Sequence, residues 1–314
     1  KGAVRQLAAQ GNARRRVITV ATEHKCVLQS VEDLAQEGFE PVVLPVNAQG
    51  VLEPDVLATA LADAPTALVS IAAANNETGV LQDLAALGAL GTQAGALLHP
   101  DLAQAAGKVA LDLHHLPVAL ASVSSHKLYG PKGAGALYVR RRPRVRLTPL
   151  FSGGGQERGL RSGTLPGFLL AGFGAACRIA QADMVRDGAH LAALQALFVA
   201  RLQVRLPGCV VNAQEAARLP GIFSLRLPPD LRAADVLEAM PELEVSLGSA
   251  CSSAELAPSY VLEAMGLSFD EAGRSLRLSP GRFTSTAEAE RAADSLAQAA
   301  LQVRATLLRS GPVV

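Results

Sequence analysis

The sequence predicts an α/β protein, in which a mostly parallel β-sheet flanked by helices is followed by a smaller α+β domain. Between residues 15 and 141, short apolar runs alternate with segments whose apolar residues recur at helical spacing. Strand, helix and strand in succession need crossover connections, and such connections join parallel strands. A Gly-rich stretch at residues 152–167 interrupts this pattern. We therefore expect domains at residues 1–165 and 166–314.

The elements of the first domain follow in chain order. Strands are predicted at "RVITVA", "PVVLPV", "TALVSIAA" and "ALLHPD", with helices at "CVLQSVEDLAQEG", "PDVLATALADA" and "LAALGALGTQAG". The runs "VALASVSS" and "GALYVRR" come next, and the short Gly/Pro-rich connection between them leaves no room for a helix. We therefore expect these two strands to pair antiparallel at the end of the sheet.

The second domain is predicted to begin with a long helix over about residues 167–205 and to end with one from about residue 286. Short helices are expected near residues 233–240 and 258–265. Between the two long helices, strands are expected at "GIFSLRL", "LEVSLGSAC" and "SLRLSP".

Composition limits the partners and the compartment. The chain has 314 residues, 49% of them apolar, and a formal net charge of +1, so nothing general favours nucleic acid or an anionic membrane. The run "RRRPRVR" is interpreted as a solvated loop. The four cysteines lie far apart without a CxxC pair, which argues against disulfides and a structural metal and favours the reducing cytoplasm. No uncharged apolar stretch of about 18 residues predicts a membrane span.

Lysine is rare in this chain, and the full set is Lys1, Lys25, Lys108, Lys127 and Lys132. Arginine supplies nearly all the other positive charge. A guanidinium cannot lose its proton or form a Schiff base, so a lysine in such a chain indicates a position that needs an amine. Lys127, within "SSHKLYGPKG" at the end of a predicted strand, is therefore a candidate for covalent chemistry.

Polar side chains follow the ends of the predicted strands. Ligands of open parallel sheets bind at the carboxyl ends of the strands, where such side chains converge. Taken singly, each residue has an ordinary interpretation as a helix cap or a turn residue. Together they supply an amine, a carboxylate, amides, a hydroxyl and imidazoles: His24, Asn76, Asp101, Gln104, Ser124, His126 and Lys127.

This combination suits pyridoxal phosphate. That cofactor needs an amine for covalent attachment, an anion facing its pyridine nitrogen, a flat group against its ring and donors for its oxygens. Metal binding is the rival interpretation, with His24, His99, Asp101 and His126 as ligands. It leaves the lysine and the two amides unexplained.

The chain resembles the pyridoxal-phosphate-dependent cysteine desulfurases of the class V aminotransferase family along nearly its whole length. The matching pieces are "TEHK", "NNETG", "HPDLAQAAGK", "SSHKLYGPKGAGALYVRR", "GGGQERGLRSGT", "GSACSS" and "RLSPGRFT". The resemblance implies an aminotransferase-like large domain, pyridoxal 5′-phosphate as cofactor and L-cysteine as substrate. Pro100 and Ser125 depart from the family's usual "HVDAAQ" and "SGHK". The sequence opens at Lys1, and a further N-terminal segment with a phosphate-binding loop, which the family carries, is expected to be missing.

The resemblance also implies individual roles around the cofactor ring. Lys127 would hold the cofactor covalently, Asp101 would face the pyridine nitrogen and His24 would stack on the ring. Asn76 and Gln104 would bond the substrate carboxylate side or the phenolic oxygen.

Further roles concern the phosphate and the substrate. Ser124 and His126 would hold the phosphate, and Thr164 would reach it from the second subunit of a homodimer. Lys127 and His126 would carry protons. Arg277 is expected to clamp the substrate carboxylate, with a structural ion pair as the ordinary alternative.

Cys251 is the residue that separates possible reactions. It lies among small and polar residues in "LGSACSSAELAPSY", which is typical of an exposed loop. The family implies that its thiolate attacks the substrate sulfur and leaves an enzyme persulfide and alanine. Cys26, Cys177 and Cys209 lie within or beside apolar patterns and are expected to be buried small hydrophobes.

The persulfide sulfur would pass to an acceptor protein, such as a scaffold for iron–sulfur clusters, or to thio-modification. Two alternatives stay open. One is another class V enzyme, either a selenocysteine lyase or a small-amino-acid aminotransferase, and a plain aminotransferase has no use for Cys251. The other is a non-catalytic paralogue that acts as a dimerising scaffold.

Overall fold

Six strands form the larger sheet of the computed structural model, which describes residues 1–248 and 258–310. The strand order is β2-β1-β3-β4-β5-β6, with β1 to β5 parallel and β6 antiparallel to β5. This arrangement confirms the predicted mostly parallel sheet and its antiparallel end. The strands are β1 (Arg16–Val20), β2 (Glu40–Leu44), β3 (Thr66–Ala72), β4 (Leu97–Asp101), β5 (Leu120–Ser124) and β6 (Gly135–Val139).

Helices connect the first strands, as the alternation predicts. Each start has a local cause: Pro54 occupies the first turn of α3, and the Asp83 carboxylate accepts the first free backbone N–H groups of α4. A 3-10 helix, Asp33–Glu37, continues α2 where the sequence predicts one longer helix. The helices are α1 (Gly2–Ala9), α2 (Lys25–Glu32), α3 (Pro54–Asp63) and α4 (Leu84–Gln93).

The buried core of this sheet explains why β1 and β3 read as continuous apolar runs. Every residue of β1 is buried, as expected for a central strand that is covered on both faces. One cluster joins Val4 of α1, Val17 of β1, Leu34, Leu68 of β3 and Leu120 of β5. The polar residues that follow the strands are therefore held on a rigid scaffold.

Residue contacts divide the chain into two compact units that interleave in sequence. Unit 1 comprises Lys1–Val46, Val51–Asn75 and Leu81–Met184, and unit 2 comprises Asn47–Gly50, Asn76–Val80 and Val185–Val314. Two short segments from the first half of the sequence thus belong with the second half. The domain boundary at residue 165 stays a prediction.

Unit 2 contains a small antiparallel sheet of order β7-β8-β9. Leu202, Phe223, Leu276 and Leu296 lie at the centre of its core. The strands are β7 (Val210–Val211), β8 (Phe223–Arg226) and β9 (Ser275–Leu278), and the helices are α6 (Ala233–Glu238), α7 (Tyr260–Ala264), α8 (Phe269–Gly273) and α9 (Thr286–Ser310).

The long helix α5 spans Gly167–Arg205, which confirms its predicted extent. Within the described part of the chain it is the one helix that is long and apolar enough to cross a membrane by length and composition. Core helices of soluble proteins pass the same criterion.

Candidate active site

The carboxyl ends of β1, β3, β4 and β5 meet at one edge of the large sheet, because these parallel strands are neighbours. The predicted site residues of unit 1 lie directly after these ends. His24 follows β1, Asp101 ends β4, Ser124 ends β5, and Lys127 lies one turn later. The fold thus brings an imidazole, a carboxylate, a hydroxyl and an amine to the same edge.

His24 is the N-cap residue of α2, and its ring is held by that helix. Nδ1 accepts the backbone N–H of Cys26 at 3.2 Å, and the Cys26 Sγ lies 3.0 Å from the same nitrogen. An Nδ1 that accepts a hydrogen bond carries no proton, so the neutral ring has its proton on Nε2. The half-buried ring is therefore fixed in both orientation and tautomer.

Glu23, directly before His24, is fully buried at the same edge. Its carboxylate accepts the backbone N–H of Ala72 at the end of β3. Burial, and then the charge of Asp101, raise the pKa of Glu23 to about 8. No role is predicted for Glu23 from the sequence, because a glutamate directly before a helix cap gives no signal of its burial.

Asp101 occupies the last position of β4, and its Oδ1 accepts the backbone N–H of Ala103 at 2.8 Å. Burial raises its pKa, whereas the Ala103 N–H and the nearby His24 act in the opposite direction. Pro100 lies inside β4 opposite Ile71 of β3. Proline has no N–H to donate to a neighbouring strand. Only one pair of residues is matched between β4 and β5 in the described sheet, and this pair includes Asp101.

Gln104 lies one turn after Asp101 and is 9% exposed. The ammonium of Lys108 donates to Gln104 Oε1 at 2.9 Å. Burial, and then the charge of Lys127, lower the pKa of Lys108 to about 8. Lys108 had no predicted role, since it was treated only as one of five lysines.

Lys127 lies in a 3-10 helix, Ser125–Leu128, that follows β5. Leu128 anchors this turn by packing against Phe173 and Ala176 of α5, while Lys127 and His126 stay exposed. Partial desolvation and the charges of Lys127 and Lys132 lower the pKa of His126. The amine is thus presented on a turn whose other side is buried.

Ser125 is the residue that departs from the family's usual "SGHK" beside Lys127. It is fully buried, and among the described residues its Oγ has no hydrogen-bond partner. A Cβ at Gly130 would lie 2.4 Å from that Oγ. The glycine therefore leaves the space that Ser125 occupies.

The predicted residues Asn76 and Arg277 belong to unit 2. Asn76 is half-buried and follows Asn75, whose side chain donates to the Thr22 carbonyl of unit 1 at 2.9 Å. Arg277 lies on β9 and exchanges backbone hydrogen bonds with Ser246.

Glu77, between Asn76 and Thr78, is a second buried carboxyl, and its burial was not predicted from the sequence. It accepts a hydrogen bond from the Ser259 hydroxyl at 2.5 Å, and a Cβ on Gly248 would lie 3.5 Å from the same oxygen. Burial raises its pKa, opposed by the Ser259 hydroxyl and by the charge of Arg277. Gly248 and Ser259 precede and follow the segment that carries Cys251, so Glu77 binds one flank of that segment and lies close to the other.

Thr164 is exposed at the end of the Gly-rich loop. The loop is closed by two hydrogen bonds, from the Gly163 N–H to Gln156 Oε1 at 2.9 Å and from the Gly155 N–H to Ser162 Oγ at 3.2 Å. The contact of Thr164 with a second subunit stays a prediction.

The cysteines differ in part from expectation. Cys251 lies outside the described residues. Cys209 is buried as predicted, but Cys26 and Cys177 are exposed, so their predicted burial is wrong. Both lie on helices whose apolar pattern does not turn that position inward. Burial raises the pKa of all three thiols, to about 11 for Cys209.

The rival metal interpretation finds no support within residues 1–248 and 258–310, where no three potential ligands from His, Cys, Asp and Glu lie together. Both ring nitrogens of His99 contact serine hydroxyls, Ser70 at 2.9 Å and Ser122 at 2.7 Å. Burial lowers the pKa of His99 to about 4, so this ring is a neutral bridge across three strands.

The donor set of unit 1 fits pyridoxal phosphate. An amine on a rigid turn, a carboxylate at a strand end, a flat ring held by a helix and a buried amide meet that cofactor's needs. Lys127, Asp101, His24 and Gln104 are the residues that would hold it.

Comparison with known proteins identifies the family. Residues 2–291 match the family described as Aminotransferase class-V. The chain is 43% identical to the cysteine desulfurase IscS of Rickettsia felis over 90% of its own length and 69% of that relative. It is 46% identical to a mitochondrial cysteine desulfurase of Arabidopsis thaliana, of which it spans 62%.

Solved structures agree with these matches. A NifS-like protein superimposes with a TM-score of 0.83 at 30% identity, covering 96% of this chain and 78% of that one. DndA from Streptomyces lividans gives a TM-score of 0.75 at 36% identity, covering 88% and 77%. The chain therefore belongs to the pyridoxal-phosphate-dependent class V aminotransferases and, within them, to the cysteine desulfurases.

Proposed function

We propose that this chain takes the sulfur from L-cysteine, stores it as a persulfide on Cys251 and releases L-alanine. The observation that carries the proposal is the convergence of Lys127, Asp101 and His24 at the carboxyl ends of neighbouring parallel strands. The cysteine desulfurases that the chain resembles give the substrate.

Each residue of the strand-end cluster has a chemical task. Lys127 would hold the cofactor covalently, and its amine would move protons at the substrate carbons. Asp101 would supply the negative charge for the pyridine nitrogen, and His24, with its proton on Nε2, would supply the flat group for the ring. When bound, pyridoxal phosphate supplies an electron sink for charge on the substrate carbon.

The remaining contacts orient cofactor and substrate. Ser124 and His126 would donate to the phosphate, and Gln104 would donate to the phenolic oxygen. Arg277 pairs with the substrate carboxylate, helped by Asn76. A guanidinium suits this task because its paired N–H groups match the two carboxylate oxygens.

Sulfur transfer needs a separate thiolate. The sulfur of Cys251 attacks the substrate sulfur, the substrate carbon–sulfur bond breaks, and a proton completes the methyl group of alanine. The products are alanine and a persulfide, so no external oxidant or reductant is needed. Raised pKa values keep the thiols of Cys26, Cys177 and Cys209 protonated near neutral pH, which makes them poor nucleophiles.

The test measures alanine release from L-cysteine and locates the added sulfur by peptide mass spectrometry. We expect about 32 Da on the peptide that holds Cys251, as a reversible persulfide. Cys251→Ser should abolish both alanine and persulfide while keeping the bound cofactor's absorption band. Cys177→Ser, which removes another exposed thiol, is the matched control and should behave as the wild type.

The open alternatives predict different outcomes. Alanine at the wild-type rate from Cys251→Ser would favour a lyase, and formation of 3-mercaptopyruvate, the keto acid that keeps the substrate sulfur, would favour an aminotransferase. A wild-type protein without a cofactor absorption band would favour the scaffold.

The proposal also covers the oligomeric state, the cellular compartment and the acceptor of the sulfur. The protein is a homodimer in the cytoplasm, and its persulfide passes to an acceptor protein such as an iron–sulfur cluster scaffold or to thio-modification. The reducing compartment is supported by three free thiols among the described residues.

A further inference from the structure

We propose that Lys108 is a positioning residue that fixes the Gln104 amide with its nitrogen turned towards the cofactor ring. This inference rests on the proposed function, which gives Gln104 its contact with the cofactor.

The contact between the two side chains determines the amide's orientation. Lys108 Nζ lies 2.9 Å from Gln104 Oε1. An ammonium can only donate hydrogen bonds, so the amide atom that faces it has to be the oxygen. The amide nitrogen then faces the other way, where it acts as a donor. Without such a partner, the two orientations of a glutamine amide are nearly equivalent in shape.

The packing of the turn that carries Lys108 holds this side chain beside Gln104. Gly107, with φ +70°, lets this turn approach the lysine-bearing 3-10 helix, since a Cβ there would lie 2.5 Å from Leu128 Cδ2 and 2.8 Å from Ala180 Cβ. Lys108 is thereby held near Lys127, whose charge contributes to its lowered pKa. The close packing keeps the ammonium beside Gln104.

An ion pair is the ordinary reason for a half-buried lysine. Within residues 1–248 and 258–310, no carboxylate lies within ion-pair distance of Lys108, although carboxylates pair with Lys1 and several arginines. Desolvating an ammonium without a counter-charge is unfavourable. The amide of Gln104 is the acceptor that this arrangement provides.

The test is a double-mutant cycle on cofactor binding. Lys108→Met removes the donor and keeps the apolar stem, and Gln104→Ala removes the amide. The readouts are the dissociation constant of pyridoxal phosphate and the absorption maximum of the bound cofactor. Each single variant is expected to weaken binding about tenfold and to move the absorption maximum. The double variant should match Gln104→Ala, because Lys108 acts through that amide.

Two further variants complete the design. Lys108→Arg keeps a cationic donor and should stay within about threefold of the wild type. Arg291→Met removes an exposed positive charge on α9 and should change neither readout. If Lys108→Met does not fold, Lys108→Leu carries the cycle, since it also removes the donor and keeps part of the apolar stem.

Some outcomes overturn the proposal. Additive effects of the two variants, or wild-type readouts for Lys108→Met, show that Lys108 does not act through Gln104. If Gln104→Ala binds the cofactor normally, the inference is overturned while the proposed function stands. If the wild type binds no pyridoxal phosphate, both are overturned.

Discussion

Glu23 and Asp101 place two carboxyl groups at one strand edge, yet they differ in environment. Glu23 is fully buried, and its pKa is raised to about 8 by burial and by the charge of Asp101. Asp101 accepts a hydrogen bond from a backbone N–H and lies near His24, and both oppose the rise in its pKa that burial causes. Glu23 therefore holds a proton near neutral pH, and its neutral carboxyl adds no negative charge beside Asp101.

Glu23→Gln should make stability less sensitive to pH. A carboxyl with an ordinary pKa of 4.5 and a folded pKa of about 8 binds its proton more tightly when folded. The free energy of unfolding of the wild type therefore falls as pH rises between these values. The glutamine variant lacks this loss and should be more stable than the wild type at pH 8 by roughly 1 to 4 kcal/mol, as measured by urea unfolding.

Glu32→Gln, on the exposed surface of α2, is the control and should differ from the wild type equally at pH 6 and pH 8. If the difference in the free energy of unfolding between Glu23→Gln and the wild type is the same at pH 6 and pH 8, Glu23 is not protonated in this range.

Asp101→Asn should separate cofactor binding from catalysis. The amide oxygen can still accept the Ala103 N–H, so the strand end keeps its shape. An amide carries no charge to stabilise a protonated pyridine nitrogen, so turnover of L-cysteine should fall by two orders of magnitude or more. The absorption band of the covalently bound cofactor should persist. Wild-type turnover would remove Asp101 from the site.

Among the helices and strands, the sequence predicted those elements that have a local sequence signal of their own. Helix α5 has the predicted extent, because a long apolar-periodic segment follows the Gly-rich loop. Helix α8 was missed although Ser268 and Glu271 form a capping box, a signal that the sequence does contain. The predicted strand "LEVSLGSAC" is, over its described residues, a single bridge between Ser246 and Arg277. A strand depends on a partner, which local pattern does not show.

The glycine that ends the turn "NNETG" lies close to the backbone of another segment of unit 2, and a substitution there tests how restrictive this approach is. Gly79 has φ +76°, and a Cβ there would lie 2.5 Å from the Ile222 carbonyl oxygen. Gly79→Ala therefore combines backbone strain with a clash against backbone, and should lower the free energy of unfolding by about 3 kcal/mol. Urea unfolding measures this change.

Gly266→Ala is the matched control for the turn. Gly266 has φ +89° and open space around its Cα, so the variant should lose only about 1 kcal/mol from backbone strain. Equal losses for the two variants would show that the approach to Ile222 is not restrictive.

For the whole molecule, the motifs predicted which residues reach the sheet edge because crossover connections make the strands parallel, so that their carboxyl ends lie at the same edge. Burial depends on tertiary packing, which explains why Cys26 and Cys177 were misjudged and why Glu23 and Glu77 were missed. The interleaving of the two units has the same origin. Residues 47–50 and 76–80 join unit 2 through contacts that a linear reading does not reveal.

The proposed homodimer makes a prediction about mixed dimers. Thr164 is exposed in unit 1 and is proposed to reach the phosphate of the other subunit. Thr164→Val alone should weaken pyridoxal phosphate binding about ten- to a hundredfold, the cost of one charge-assisted hydrogen bond. Lys127→Ala alone should abolish covalent attachment.

A dimer with one Thr164→Val subunit and one Lys127→Ala subunit decides between contact within and across subunits. If Thr164 acts across the interface, both changes fall in one site and the other site is entirely wild type. Differently tagged subunits allow the mixed dimer to be purified, and titration should then find one site per dimer with wild-type affinity. If Thr164 acts within its own subunit, every site carries one defect, and a mixed dimer without any wild-type site would refute the shared active site.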